Sequence, residues 1–394
     1  MRPSKSCMLF GSYHALSGIR DSIVLFHSVI GCNFGVMGPH LMNDMASIRQ
    51  SSTVMSDREV IYGGESQIRK AVRLAKRMYS PKAVFVVSGC VPEITGDDAA
   101  GVCRDLSSPE LPVIYVPSPG FLKDEYEGFE DASEVLASLA EDTGPSPGPV
   151  INIIGPSADE PRMEADMKAI RDMLSPHAEV NCVTGCCTFD EVRSLGRAGL
   201  NLVIGRGKAL AEKLRERFGT PYEVISYPYG LTGCDELCSS LEKRFGLDLE
   251  HVREDFRKET SQRLEKAFSF IQAFYAMPAA VVADRARADG IARFLSREMG
   301  MDICVKACRE DMKDAEDTYD LIRASEAAMI FGSGFEKPLA EEMGIPLVRM
   351  CYPVLDRVTL SSRSYAGAEG SVCLVEDMIN ETMAARNLRG GLYQ

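Results

Sequence analysis

No run of eighteen apolar residues occurs in this 394-residue chain, so no transmembrane helix is expected. No block of basic residues occurs either, and the formal net charge is −13. Both facts argue against a nucleic-acid groove and against an anionic membrane surface. The basic start Met1-Arg2-Pro3-Ser4-Lys5-Ser6 is followed by Ser12, Tyr13 and His14 rather than by an unbroken apolar stretch, so it does not read as a secretory signal. A cytoplasmic location is therefore expected. The phosphate-binding pattern G-x-x-x-x-G-K-[ST] is missing, and with it any expectation of ATP hydrolysis by this chain. Histidine is scarce, at five residues, and no Ser-His-Asp or Cys-His nucleophile arrangement has sequence support. Tryptophan is absent, which excludes nothing.

What is present is an ordinary globular composition, 45% apolar with mean hydropathy −0.08, enough for sizeable cores. Thirteen cysteines stand out. Their odd number and the missing secretory signal argue against a disulfide framework. Taken singly, most read as reduced buried thiols that pack as small apolar side chains. Cys7, Cys32 and Cys90 are different, because each sits beside glycine or a turn-forming residue where a strand or loop should end. Their separations of 25 and 58 residues are too wide for a zinc knuckle and too irregular for a ferredoxin run. Three thiolates brought together by the fold would make a soft metal site, with iron–sulfur the best match. Three is one short of the usual four ligands, so a second chain is expected to complete the set.

Apolar, β-rich runs recur at 23–26, 83–87, 113–116, 150–154, 202–204, 280–282, 328–331 and 345–348. Between them lie charged segments with helical periodicity, at 65–78, 164–174, 209–218, 291–299 and 368–385. Continuous apolar strands alternating with amphipathic helices predict parallel sheets covered on both faces. The stretch from Asp142 to Pro149, rich in Pro, Gly and Ser, reads as a linker. The charged stretch from Cys234 to about Phe274 reads as one or two helices and marks a softer boundary. The expected fold is α/β, with three Rossmann-like domains at 1–147, 148–255 and 256–394, each a parallel sheet flanked by helices. No sequence repeat accompanies this architectural similarity.

Cys90 follows a predicted strand at its C-terminal end, the edge where open α/β sheets present ligands. Gly89 permits close backbone approach, Pro92 is expected to delay the next helix, and Asp98 is a candidate N-cap. Gly31 precedes Cys32, and Gly63-Gly64 opens an amphipathic helix. Amides at Gly31, Gly63, Gly64 and Gly89 could approach an anion or a cluster sulfide; for Gly63-Gly64 the alternative is a plain tight turn. His27 and His40 flank the Cys32 loop, either as neighbours of a cluster or as satisfied structural histidines. Cys182, Cys186 and Cys187 group locally and are the best candidate for a second site. Cys234/Cys238 and Cys304/Cys308 share C-x3-C spacing, which would put each pair on one helical face but is a weak metal signal.

Taken together, these segments resemble the nitrogenase component 1 superfamily. That superfamily includes molybdenum–iron protein subunits, cofactor-assembly scaffolds, dark-operative protochlorophyllide reductase subunits, the cofactor F430 reductive cyclase component and methylthio-alkane reductases. The resemblance runs through Cys7, His27–Cys32, Tyr62-Gly63-Gly64, Ser88–Asp98, Pro117–Phe121 and Gly128-Phe129. It returns at Pro228–Leu231, at Ile345–Arg357 and at Tyr365–Gly370, the last segments looking β-type rather than α-type.

The resemblance implies that Cys7, Cys32 and Cys90 match the three cysteines with which each of two subunits holds an interface iron–sulfur cluster. That cluster would be of the 4Fe-4S type or an 8Fe-7S, P-cluster-like type. The partner would be a homologous α-type subunit or a second copy, in a heterotetramer or homodimer, with electrons delivered by an ATP-dependent iron protein. Two departures stand against dinitrogen reduction. Gly120 occupies the place of a serine that can ligate the cluster in the nitrogenase β-subunit, and the chain lacks that subunit's N-terminal extension. Substrate-cofactor ligands lie on the α-type partner, so no catalytic residue carries over. Two functions remain expected: an electron-relay subunit of a nitrogenase-like reductase, or a cofactor-assembly scaffold without turnover. Dinitrogen, a tetrapyrrole, a thioether and other substrates all stay open.

Overall fold

The computed structural model describes residues 5–42, 49–142, 144, 146–312, 314–359 and 361–388, with the backbone alone at 37–42, 315 and 386–388. Three four-stranded parallel sheets flanked by helices make up the architecture. The first contains β1 (Ser22–His27), β2 (Gln50–Ser52), β3 (Ala83–Ser88) and β4 (Val113–Pro117), in the order β2-β1-β3-β4. Around it lie α1 (Met8–Leu16), α2 (Ile30–Met42), α3 (Asp57–Tyr62), α4 (Glu65–Tyr79), α5 (Cys90–Thr95), α6 (Ala99–Leu106) and α7 (Glu125–Leu139). The second sheet, β5 (Val150–Ile154), β6 (Glu179–Cys182), β7 (Leu200–Ile204) and β8 (Tyr222–Ile225), has the order β6-β5-β7-β8. Its helices are α8 (Met163–Leu174), α9 (Phe189–Arg193) and α10 (Lys208–Phe218). Next come α11 (Gly230–Phe245), α12 (Glu250–Leu264) and α13 (Phe268–Gln272). The third sheet, β9 (Pro278–Ala283), β10 (Asp302–Cys308), β11 (Met329–Gly332) and β12 (Leu347–Arg349), is ordered β10-β9-β11-β12, with α14 (Arg285–Arg297), α15 (Ala315–Arg323), α16 (Lys337–Met343) and α17 (Gly367–Leu388). In each sheet the order turns back between the first and third strands, which is where this topology opens a crevice at the carboxyl ends.

The apolar runs read from the sequence became strands because both faces of the central strands are covered. Every residue of β1, β3, β5, β7 and β11 is buried. In the first sheet Val24, Phe26, Phe85 and Val87 join one core with Tyr13, Phe129 and Leu136. Ile23, Leu25, Val84 and Val86 join the other with Ile68, Val72 and Val102. Four strands escaped the sequence reading: β2, β6, β8 and β10, all at sheet edges. Edge strands bury less, and β10 alternates between exposed and half-buried positions, so no continuous apolar run marks them.

Further differences concern element ends. Cys304 and Cys308 lie on strand β10, not on a helix. Residues 234–274 form α11, α12, a 3-10 turn at Glu265–Ala267 and α13, more pieces than the one or two helices expected. The helix expected from residue 291 begins at Arg285, where the Asp284 carboxylate caps it by accepting from the Arg287 amide at 3.0 Å. Pro92 does not delay the helix after β3. It lies in the first turn of α5, where a missing N–H costs nothing. Asp98 does cap α6, accepting from the Gly101 amide at 2.8 Å. No helix among the described residues is long and apolar enough to cross a membrane.

The chain divides into two compact units, one of Ser6–Asp159 with Val180–Tyr222 and one of Met1–Lys5, Glu160–Glu179 and Glu223–Gln394. The domain boundary expected at residue 255 falls inside α12. In the first unit, α1 packs against α7 at very short range. A Cβ on Gly11 would stand 1.8 Å from the Glu125 carbonyl oxygen, and one on Gly128 would stand 2.3 Å from that of Met8. In the second unit, fully buried Asp166 ties α8 to the start of α17. Its carboxylate accepts from the Tyr227 hydroxyl and from the amides of Tyr365 and Ala366, the last at 3.0 Å. Replacing Gly11 with Val is expected to cost about 3 kcal/mol or more, the upper range for overpacking. The check is the denaturant midpoint, and an unchanged midpoint would show that α1 and α7 can move apart freely.

Candidate functional site

The register of the first sheet delivers three chain segments to one place. His27 pairs with Ser88 at the ends of β1 and β3, and Ser88 pairs with Pro117 at the end of β4. From these ends the chain runs directly to Cys32 in the first turn of α2, to Cys90 at the start of α5, and to the turn Ser118–Phe121. Cys7 arrives separately as the N-cap of α1. It bridges to Asp124, with the Met8 amide donating to Lys123 and the Glu125 amide donating to Ser6, both at 3.1 Å. The three cysteines expected to meet therefore lie at the switch point of the first sheet, each at or within the first turn of a helix.

Gly120 lies against two of these cysteines. A Cβ there would stand 2.7 Å from the Cβ of Cys7, 3.1 Å from its sulfur and 3.6 Å from the Cys90 sulfur. The Gly120 amide donates to the Cys90 sulfur at 3.2 Å. The turn is held from beneath: the Ser118 hydroxyl donates to Ser12 at 2.7 Å, and Ser12 donates to the Gly128 carbonyl. Burial raises the Cys7 thiol above its ordinary value; the amides of Leu9 and Phe10 oppose that, and the neighbouring Cys90 and Cys32 add to it. All three thiols are half-buried.

Two polar networks fix the surroundings. His27, fully buried, contacts Thr53 Oγ1 through Nδ1 and Asp97 Oδ2 through Nε2, both at 3.1 Å. It is thus a satisfied structural histidine. Burial lowers its pKa, against the pull of Asp97. Asp97 also accepts the Gly64 amide at 2.8 Å. Glu93, one turn into α5, accepts from the Ser88 and Tyr115 hydroxyls, which fastens α5 to β3 and β4. Burial, then the bond to Glu93, raises the Tyr115 phenol. Nothing in the local sequence marked Tyr115 for this role, because the contact spans 22 residues.

The amides of Gly63, Gly64 and Gly89 donate to Glu59, Asp97 and His27 respectively. What these three glycines offer is close approach rather than spare donors. A Cβ on Gly31 would meet nothing within 4 Å. The His40 side chain lies outside the described residues.

Among the described residues no three His, Cys, Asp or Glu side chains converge closely enough to hold one metal ion. Three neighbouring thiols, two of them against a side-chain-free Gly120, suit instead a multi-atom cluster, whose ligands bind different irons. The donor set, all sulfur and half-exposed, fits an iron–sulfur group. Among the described residues the other cysteine groups do not gather three donors at one point either. Cys182, Cys186 and Cys187 are at most 3% exposed, and Cys187 donates to the Val183 carbonyl at 2.7 Å. Cys234 and Cys238 face each other at 4.0 Å on α11. Burial pushes Cys103 and Cys351 up to about 12, as for inert packed thiols.

The family model for nitrogenase component 1 type oxidoreductases matches residues 7–383. The chain belongs to this family. Among curated relatives it is similar to the nitrogenase molybdenum-iron protein beta chain of Methanococcus maripaludis, 21% identical over 96% of this chain and 94% of the relative. It is also similar to the cofactor biosynthesis protein NifN of Rippkaea orientalis, 24% identical over 98% and 94%. The NifE protein of Nostoc sp. is 29% identical over 67% of this chain, a match spanning 56% of the relative's own length. The solved structure "Nitrogenase Cp1 at pH 6.5" superposes with TM-score 0.81 at 19% identity, covering 98% of this chain and 93% of that one. The expected family and fold are both met. Members of the nitrogenase component 1 family bind iron–sulfur clusters, in keeping with the neighbouring thiols of Cys7, Cys32 and Cys90.

Two outcomes check this geometry. Gly120→Val places atoms where both sulfurs need room, so iron content is expected to fall by half or more with the circular dichroism unchanged; full iron loading would overturn the role given to Gly120. His27 has a folded-state pKa below its unfolded value of about 6.5, so the unfolded chain takes up the proton first. Stability should fall as pH drops below about 6.5, and His27→Gln should flatten that slope, read from urea midpoints at several pH values.

Proposed function

We propose that this chain is the β-type iron–sulfur subunit of a nitrogenase-like reductase complex, receiving electrons from an ATP-dependent iron protein and sharing a substrate site with a partner chain. The observation that carries the reading is the approach of Cys32 and Cys90 to Cys7, with Gly120 against the Cys7 and Cys90 sulfurs. Cys7, Cys32 and Cys90 would hold the cluster, either 4Fe-4S or P-cluster-like. When bound, that group supplies one-electron redox chemistry. The chain's part is to hold three cysteine sulfurs at helix starts, with the Leu9 and Phe10 amides directed at Cys7. The Gly120 amide adds a donor to sulfur, a contact of the kind that tunes such groups.

A partner is supported by what surrounds the thiols. Ile30 and Phe34 on α2, Ile94 on α5, and Phe121 and Leu122 beyond Gly120 are each more than half exposed. Ile61 and Tyr62 end α3, which packs against α5, and are exposed to 71% and 81%. Apolar side chains gathered beside an incomplete ligand set are what a subunit interface covers. The partner is a homologous α-type subunit, giving a heterotetramer, or a second copy of this chain, giving a homodimer. Three bundled domains and a cytoplasmic location belong to the same proposal.

The similarity to NifN over 98% of the chain favours a second reading, a scaffold that holds a metallocluster during cofactor assembly. Both readings use the same three ligands and differ in turnover. The test is to purify the chain anaerobically with its partner, count iron, record the electron paramagnetic resonance spectrum and repeat with Cys90→Ala. Iron and signal are expected to fall by at least half; unchanged values sink the cluster assignment. Multiple-turnover reduction of any small molecule, driven by the iron protein, separates the reductase from the scaffold.

A further inference from the structure

In the unit that contains Glu160–Glu179 and Glu223–Gln394, a cavity of about 540 Å³ opens between α8, α12 and the start of α17. Its floor is apolar, with Met173, Val252 and Phe256; its rim is polar. On that rim His177, three residues past the end of α8, faces His251, in the first turn of α12. Their Nε2 atoms are 3.0 Å apart and the ring centroids 4.8 Å apart. Two imidazole nitrogens at that distance leave two arrangements: one ring donates and the other accepts, or both donate lone pairs to a cation between them. Two nitrogens on one tetrahedral zinc-class ion, each at ~2.0–2.1 Å, stand about 3.4 Å apart, so only a slight opening is needed.

The setting favours the cation. Asp255 is one turn beyond His251 on α12 and lines the same cavity, with Glu259 one turn further. Neither carboxylate has an ion-pair or hydrogen-bond partner among the described residues. No basic residue of the wall lies nearer in sequence than Lys168, which is already paired with Asp172. We propose that His177 and His251 form a binding site for a divalent transition-metal ion of the zinc class, with Asp255 drawn in as third ligand and water completing the shell. No three such groups yet surround one point, so the ion takes the imidazoles nearly as they stand and recruits the carboxylate by a rotamer change. Two imidazoles and one carboxylate suit zinc, nickel or ferrous iron; calcium and magnesium, which prefer all-oxygen shells, do not match. A bound ion clips the end of α8 to the start of α12, independently of the thiol site.

The experiment uses the full chain, anaerobic and with its thiol site loaded, dialysed to equilibrium against Zn²⁺ alone with zinc counted by mass spectrometry. The wild type is expected to bind one more zinc, and His177→Gln and His251→Gln each to weaken that site at least 100-fold while keeping iron content and circular dichroism. His251→Cys, which supplies another zinc donor, is expected to retain it within tenfold. X-ray absorption at the zinc edge should show two imidazole nitrogens. Equal zinc binding by the wild type and the double His→Gln variant overturns the proposal, as does a zinc spectrum with sulfur ligands only.

Discussion

The candidate site depends on the register that sets His27 against Ser88 and Ser88 against Pro117. A parallel sheet brings the carboxyl ends of neighbouring strands to one edge, and the order β2-β1-β3-β4 makes the chain diverge between β1 and β3. The crevice opened there receives Cys32 from one side and Cys90 from the other. A slip of one residue would turn every side chain of β3 to the opposite face. Val84 and Val86 would then leave one core and Phe85 and Val87 the other. The apolar packing of two faces is therefore what keeps the thiols together, and Cys7 and Cys32 themselves pack against the core that holds Phe85 and Val87.

Buried polar contacts refine what the register begins. His27 holds Asp97, and Asp97 holds the Gly64 amide; Glu93 holds Ser88 and Tyr115. Hydrogen bonds to charged groups of this kind contribute about 1.5–3 kcal/mol each, and leaving one unmade when buried costs a similar amount. They act on the loops and on short α5, where little apolar burial is available to fix position. The N-terminal strap depends on something else, the absence of side chains at Gly11 and Gly128, which lets α1 lie on α7 and places Cys7 beside Gly120.

The legibility of the sequence followed burial. Central strands such as 83–87 and 150–154 announced themselves because both faces are covered, so their residues are apolar without interruption. Edge strands β2, β6, β8 and β10 did not, because one side or one face meets solvent and the pattern breaks up. Cys304 and Cys308 show the hazard of spacing alone: four residues apart, they suggest a helical face but lie on a strand whose register shifts at Cys304, leaving one exposed and the other buried. Pro92 shows another, since a proline harmful inside a helix is harmless in its first turn.

By itself, the sequence determined the alternation of buried strands and amphipathic helices, and it marked Cys7, Cys32 and Cys90 through glycine or turn-forming neighbours and family-like motifs. These are local properties, set by residue type and short spacing. Only the tertiary structure decided that Cys32 and Cys90 come to Cys7 beside Gly120, that Tyr115 reaches Glu93, and that His177 faces His251 across 74 residues. Such contacts depend on strand order and helix packing, which no short window of sequence contains, because the energy that selects them is spread over whole buried faces.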